Sequence, residues 1–251
     1  MESFSRRSLL SAGGLLAGNA LLGMQAVHAE GEGPPTRKAK ILVVGAHPDD
    51  PESGAGGTIA RYADLGHEVV ACYATRGEAG IQGKSHEQAA VIRSAEAKAA
   101  CEILKARPVF AGQIDGATEL TNTRYDEFHG LIDGEKPDIV ITHWPIDSHR
   151  DHRATSLLCF DAWLYQARRF TLLYFEVMAG EQTSHFHPTH YVDITDTEPR
   201  KKAAIMAHAT QQPEEWYPHH ALMSGFRGRE QNCRHAEAFV RHDQNTGGLF
   251  G

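Results

Sequence analysis

The sequence predicts an α/β fold with a mostly parallel sheet. Three observations carry that prediction. Ile41-Leu42-Val43-Val44-Gly45 and Asp138-Ile139-Val140-Ile141-Thr142-His143-Trp144 are apolar runs of strand length. Helical patterns separate such runs, the clearest being the Ala-, Glu- and Lys-rich segment 87–105. Each of the two runs leads directly into a cluster of His and Asp, where open α/β sheets place their ligands.

In chain order, residues 1–29 read as an export signal. Ser5-Arg6-Arg7-Ser8-Leu9-Leu10 resembles a twin-arginine signal, a weakly apolar Gly- and Ala-rich segment follows, and Val27-His28-Ala29 is a small-residue cleavage site. A retained anchor is the alternative, but the glycines, Asn19 and Gln25 make a poor span. The expected product is periplasmic or extracellular, with no stable membrane span once the signal is cleaved. Residues 30–38, with two glycines and two prolines, are a linker, and residues 39–251 the folded domain.

A strand over 41–47 stops at Pro48, which cannot pair in a central ladder. A helix over 56–65 ends at Gly66. Gly54-Ala55-Gly56-Gly57 lacks the full dinucleotide-loop spacing and reads as close helix–strand packing. Then come a strand over 67–75, a flexible Gly-rich loop over 77–84, the helix over 87–105, a strand over 108–111, a helix over 124–134 and a strand over 138–144. A helix over 153–168, strands over 170–178 and 191–194, and a helix over 199–211 with Pro199 in its first turn follow. Residues 213–228 read as irregular and aromatic, 229–241 as a last helix, and the Gly-rich end as frayed.

The length of 251 residues suits one domain plus a leader. A net charge of −7 argues against nucleic acid, whose phosphates need a basic surface. The four cysteines form no Cys-x-x-Cys pair, so neither a zinc knuckle nor a redox motif is indicated. Cys72 and Cys101 lie in apolar contexts, as buried free thiols do.

The two clusters are His47-Pro48-Asp49-Asp50-Pro51-Glu52 and His149-Arg150-Asp151-His152. Two imidazoles and a carboxylate, with coordination positions left open, suit catalytic zinc, and His47, Asp50 and His152 are the best trio. Asp49 then stands beside the metal, free to take a proton from water. His149 and His152 are three residues apart and share a helix face, so one can bind metal while the other faces substrate.

Together the motifs resemble the PIG-L (LmbE-like) family of zinc-dependent N-acetylglucosaminyl deacetylases. Thr75-Arg76-Gly77-Glu78-Ala79-Gly80, Arg93-Ser94-Ala95-Glu96, the Lys201, Ala204, His208, Gln211 series and Ala236-Glu237-Ala238-Phe239 extend the resemblance over roughly residues 39–241. It implies a Rossmann-like three-layer fold, a Zn2+ cofactor, Asp49 as general base and Asp50 as ligand. It places Arg93 and Asp115 among sugar-contacting residues. Arg93 equally reads as a surface partner of Glu96, and Asp115-Gly116 as a turn. Glu52 would brace the loop.

His149 is the candidate acid and oxyanion partner, and such a donor is worth about 3–4 kcal/mol in a transition state. Asp151 would orient a histidine, or only complement a helix N-terminus. His208 matches the family series without a firm role; any of His185, His187, His190, His208, His219 and His220 could line the pocket, and for all but His208 a surface or packing role is the better reading. Trp216, Tyr217 and Phe226 stack on sugar or cover the core. The expected function is a zinc-dependent hydrolase deacylating an N-acetylated amino sugar or glycoconjugate, with a small-molecule or glycan substrate. The alternatives are a non-catalytic carbohydrate-binding protein and a non-haem iron enzyme, whose facial site also uses two His and one carboxylate.

Overall fold

A computed structural model describes residues 37–244. In order come β1 (Lys40–Gly45), α1 (Asp50–Asp64), β2 (Glu68–Tyr73), α2 (His86–Leu104), β3 (Arg107–Phe110), α3 (Asn122–Glu135) and β4 (Ile139–His143). Then follow α4 (Arg150–Tyr165), β5 (Thr171–Phe175), β6 (His190–Asp193), α5 (Glu198–Met206), a 3-10 turn (Ala209–Gln211), α6 (Pro213–Glu230) and β7 (Ala236–Arg241). The export signal, most of the linker and the Gly-rich end lie outside the described residues. Among the described residues, no helix is long and apolar enough to cross a membrane.

The seven strands form one sheet in the order β3-β2-β1-β4-β5-β7-β6. The first five are parallel. β7 runs antiparallel to both β5 and β6. From β1 the chain steps outward to β2 and β3, then returns to β4 on the other side of β1. That reversal opens a crevice at the carboxyl ends of β1 and β4, the place where such sheets bind ligands.

Strand periodicity divides the core. Ile41 and Val43 of β1 face Ile59, Leu104 and Ala204 on one side of the sheet. Leu42 and Val44 face Phe128, Leu158 and Trp163 on the other. Both faces are covered by helices, so the strands are apolar throughout rather than alternating, and the fold is three-layered. Trp163 is fully buried, and its indole N–H donates to the Phe170 carbonyl at 3.0 Å.

Four expectations are corrected. The first helix begins at Asp50, not at residue 56, but is kinked at Ala55 (φ −145°, ψ 17°), so its regular body starts where the sequence places it. Beyond the kink, the N–H groups of Gly57 and Thr58 donate to the Glu237 carboxylate at 2.9 and 2.7 Å, and Lys201 Nζ meets the same carboxylate at 2.5 Å. A buried anion thus caps the second segment. The glycines there do pack closely: a Cβ on Gly54 would lie 2.3 Å from the Phe175 ring, and one on Gly57 2.7 Å from Ile194.

Second, residues 213–228 are not irregular but belong to α6. Its inward positions are Tyr217, His220, Ser224 and Gly228, a helical spacing occupied by residues too polar or small to register as an apolar stripe. Pro213 opens the helix at a position where no N–H is needed, and Pro218 lies inside it. Third, residues 236–241 form β7 rather than a helix, inserted between β5 and β6. Ala236, Glu237 and Ala238 favour helix locally, and two flanking strands plus the buried Glu237–Lys201 pair override that preference. The helix expected over 199–211 also divides, α5 ending at Met206 before the 3-10 turn.

Candidate active site

β1 ends at Gly45, and the chain turns through Ala46-His47-Pro48-Asp49 into α1. Asp49 holds φ at 110°, a left-handed conformation costing about 1–3 kcal/mol in a non-glycine residue. It is the N-cap of α1, yet its side chain makes no capping bond. The carboxylate instead accepts from Arg93 at 2.8 Å. Burial raises the Asp49 pKa, and the nearby Arg93 charge does not fully reverse it.

The neighbouring Asp50 points elsewhere. Its Oδ2 lies 3.2 Å from His47 Nδ1, and its Oδ1 lies 3.4 Å from His152 Nε2. Burial alone would raise this carboxyl, but the imidazoles of His152, His143 and His47 hold it well below the usual carboxylate range.

Each of the two imidazoles has its second nitrogen against another carboxylate. His47 Nε2 is 3.2 Å from Asp115 Oδ1 and 3.3 Å from Asp151 Oδ2. His152 Nδ1 is 3.1 Å from Asp147 Oδ1. Burial opposes charge on His47, but Asp115, Asp151 and Asp50 outweigh it and hold its pKa well above the ordinary value. Asp151 is wholly buried and also accepts the Gly116 N–H at 2.7 Å. Burial works against its charge as well, but His47 and that N–H hold it low.

His149 precedes α4 as its N-cap, and its Nδ1 accepts the Asp151 N–H at 3.3 Å. With Nδ1 an acceptor, the neutral ring carries its proton on Nε2. Burial and the neighbouring His47 and His152 lower its pKa. The three rings cluster, His149 standing 4.7 Å from both His47 and His152 between centroids.

These residues surround a cleft of about 620 Å³. His47, Asp49, Asp50, Arg93, Asp115, His149 and His152 all line it, and Asp151 stands behind His47. The crevice therefore brings together the eight residues that the sequence singles out as metal-ligating, acid–base, orienting and sugar-contacting groups, seven in its lining and Asp151 behind them. Arg93 is buried and bound to Asp49 and the Pro48 carbonyl, not paired with Glu96, which accepts from Thr210 instead. Gly77 and Gly80 pack on Arg93, where a Cβ would come within 2.5 Å of the guanidinium, so their motif makes room for it. Glu78 ties that loop down by accepting the N–H groups of Arg76 and Asp115, each at 3.1 Å. Glu52, expected to brace the loop, accepts the Tyr73 hydroxyl at 2.5 Å and lies 3.6 Å from His208 Nε2.

The donor set fits a divalent metal. Among the described residues, three groups of side chains could hold one ion: His47, His149 and His152; Asp50, His143 and His152; and His47, Asp115 and Asp151. Asp50 reaches His47 through one carboxylate oxygen and His152 through the other, at 3.2 and 3.4 Å. Each imidazole keeps one nitrogen toward Asp50 while a carboxylate meets the other, the usual arrangement behind a metal-binding histidine. His143 also lies 3.2 Å from Asp50, but its Nε2 accepts the Ala46 N–H at 3.0 Å. Burial, with His152 beside it, lowers its pKa to about 4, which keeps the ring neutral, and with Asp50 and His152 it forms one of the groups among the described residues that could hold a metal ion.

The family description "PIG-L: GlcNAc-PI de-N-acetylase" matches residues 42–163. The diacetylchitobiose deacetylase of Thermococcus kodakarensis is 32% identical over 217 residues, covering 79% of this chain and 81% of that protein. The chain belongs to the PIG-L family. It is an N-deacetylase. The N,N'-diacetylchitobiose deacetylase of Pyrococcus horikoshii superposes with a TM-score of 0.74 at 26% identity, over 83% of this chain and 85% of that one. The 4-carboxy-2-hydroxymuconate hydratase of Pseudomonas putida shares the fold at a TM-score of 0.74 and 23% identity, over 84% and 99% of the two chains.

Within this PIG-L chain, three features of the site escape the sequence. His143 carries a faint signal, a histidine closing an otherwise apolar strand. Asp147 carries none: it lies in the loop before α4, and only the fold brings it to His152 and to the Thr183 hydroxyl at 3.0 Å. His220, read as surface or packing, is buried and lines the cleft beside Trp216, both supplied by α6. Tyr217 is buried in that helix and Phe226 is exposed, so of the three aromatics Trp216 alone lines the cleft.

Proposed function

We propose that the protein is a zinc-dependent hydrolase that removes the acetyl group of an N-acetylated amino sugar or its conjugate. One observation carries this reading. Adjacent carboxylates serve different partners, Asp50 the two imidazoles and Asp49 the open cleft beside Arg93. His47, Asp50 and His152 would hold the zinc, which supplies Lewis acidity toward the amide carbonyl and acidifies a water.

The residues of the chain supply the rest. Asp49 takes the proton of the attacking water, its pKa raised by burial toward the range useful for a base. His149 donates a hydrogen bond from Nε2 to the developing oxyanion, and as the C–N bond breaks the leaving amine takes up the proton that Asp49 accepted from the water, which returns Asp49 to its base form. Asp151 and Asp147 orient the two ligand imidazoles. Arg93 and Asp115 form the sugar's wall of the cleft, and Arg93 also fixes Asp49. The twin-arginine leader would carry the folded enzyme out of the cytoplasm. The test is acetate release from a panel of N-acetylglucosamine conjugates by purified, zinc-loaded protein. Release that depends on Asp49 is expected. No release from any N-acetylated sugar would overturn the proposal.

A further inference from the structure

A second groove of about 380 Å³ opens beside the catalytic cleft. One wall is a single face of α4: Arg150, Arg153, Ala154 and Leu157, at helical spacings i, i+3, i+4 and i+7. The other is the segment between β3 and α3, represented by Ala117, Thr118 and Leu120. Both walls continue from the catalytic cleft. Gly116, which lines the cleft, precedes Ala117, and its N–H is bound to Asp151 on the first turn of α4.

The groove has a definite chemistry. Leu120 and Leu157 are 42% and 43% exposed, so its floor offers apolar surface to a ligand. Arg150 is 64% exposed and meets Asp151 only at 3.8 Å. Arg153 spends one guanidinium nitrogen on the Asp147 and Ser148 carbonyls, which fixes its charge at the groove. The nearby acid, Glu119, is committed to Arg124 at 3.2 Å. The Thr118 hydroxyl oxygen is buried there without a hydrogen-bond partner. On a chain of net charge −7, two arginines flanked by exposed leucines form a local inversion of the surface.

We propose that this groove is the aglycone subsite, and that it selects amino-sugar conjugates whose aglycone joins an apolar stem to an anion, carboxylate or phosphate. The inference rests on the deacetylase reading of the neighbouring cleft. With the sugar in that cleft, the aglycone passes over Gly116, lays its stem on Leu120 and Leu157, and brings its anion to Arg150. Arginine suits the role because its fork can meet either oxyanion with two donors.

The test compares three N-acetylglucosaminides of one sugar: a neutral phenyl, a carboxyphenyl and a phosphophenyl glycoside. Binding is measured by calorimetry on the zinc-loaded Asp49→Asn variant, which holds the site without turnover, and acetate release is followed separately with the unsubstituted protein. At least one anionic glycoside should bind roughly tenfold tighter than the neutral one, the scale of a charge-assisted contact. The preference should shrink as salt rises. Arg150→Gln should collapse that ratio toward one, whereas Lys105→Gln, an equal loss of charge on a distant surface, should keep it. Leu157→Ser should weaken all three aromatic glycosides by a similar factor and so leave their ratio in place. The two anionic arms identify which oxyanion is preferred. Equal binding of all three glycosides, or an anionic preference that survives Arg150→Gln, overturns the subsite. Absence of acetate from every glycoside would instead remove the deacetylase reading, because the binding ratios are read without turnover.

Discussion

Arg93 donates to the Asp49 carboxylate at 2.8 Å from a side chain only 4% exposed. A second bond from the same nitrogen reaches the Pro48 carbonyl. One buried cation therefore holds both the strained backbone before α1 and the carboxylate assigned as base. It is a positioning residue at least as much as a sugar contact.

Arg93→Gln should therefore lower kcat by about 10²-fold, the scale of a misplaced reacting group, while zinc stays near one per chain. Arg93→Lys should recover part of the loss, since it restores the charge without the fork. Elemental analysis beside steady-state kinetics checks both. If Arg93→Gln loses its zinc, the arginine supports the ligand loop and not the base.

What the sequence made legible follows from where the chemistry sits. Strand ends followed at once by His and Asp announce themselves, because apolar runs and polar clusters contrast sharply. The ligands, base and acid candidates all lie in two such places and meet at the β1–β4 switch. The carboxyl-terminal third was less legible. β7 reads locally as helix, and its pairing depends on strands distant in sequence. α6 hides its periodicity behind His220, Ser224 and Gly228. Asp147 is invisible for a similar reason: nothing beside it in sequence signals the imidazole that it meets only in space.

Asp147 offers the next test. It meets His152 Nδ1 at 3.1 Å and accepts the His149 N–H at 2.7 Å. Asp147→Asn removes the charge behind a ligand while nearly keeping the shape. Zinc affinity should fall by about 10–100-fold, the usual effect of losing such a partner. A competition titration with a chelating dye reads this directly. Unchanged affinity would mean that Asp147 serves only the loop.

His220 makes a prediction about acid stability. It is 2% exposed, and its pKa is lowered to about 3, chiefly by burial and then by the nearby Lys201 charge. Its unfolded pKa is about 6.5. The folded value lies below the unfolded one, so the unfolded chain binds the proton more readily. This contribution is fully present above about pH 6.5 and is lost as pH falls toward about 3, at up to about 1.4 kcal/mol per pH unit. His220→Gln cannot titrate and should flatten the slope of stability over that window. Urea unfolding of both proteins at pH 7, 5.5 and 4.5 measures it. Parallel slopes would show that His220 is protonated without cost in the fold.

Export is tested through the paired arginines. The substitutions Arg6→Lys and Arg7→Lys together should keep the precursor in the cytoplasm, because the twin-arginine route reads that pair. Fractionation and the mass of the mature chain decide it. A doubly substituted precursor that is still exported and trimmed near Ala29 would assign the leader to another route.

The last prediction separates base from ligand within one dipeptide. Asp49 and Asp50 are adjacent, but a left-handed backbone at Asp49 sends their side chains to different partners. Asp50 lies 3.2 and 3.4 Å from the imidazoles of His47 and His152, whereas Asp49 meets Arg93 at the cleft wall. Asn keeps the shape of Asp but removes its charge and its capacity to take a proton. Asp49→Asn should therefore keep zinc and lose on the order of 10²–10⁴ in kcat, the worth of a positioned general base. Asp50→Asn should lose zinc affinity, and activity with it, because a neutral amide is a poorer ligand and the two imidazoles lose the anion between them. Excess zinc should partly rescue Asp50→Asn and leave Asp49→Asn unchanged. Bound zinc and kcat across a zinc titration distinguish the two. If Asp49→Asn is the variant that sheds zinc, or if added zinc restores it, the roles of the pair are exchanged.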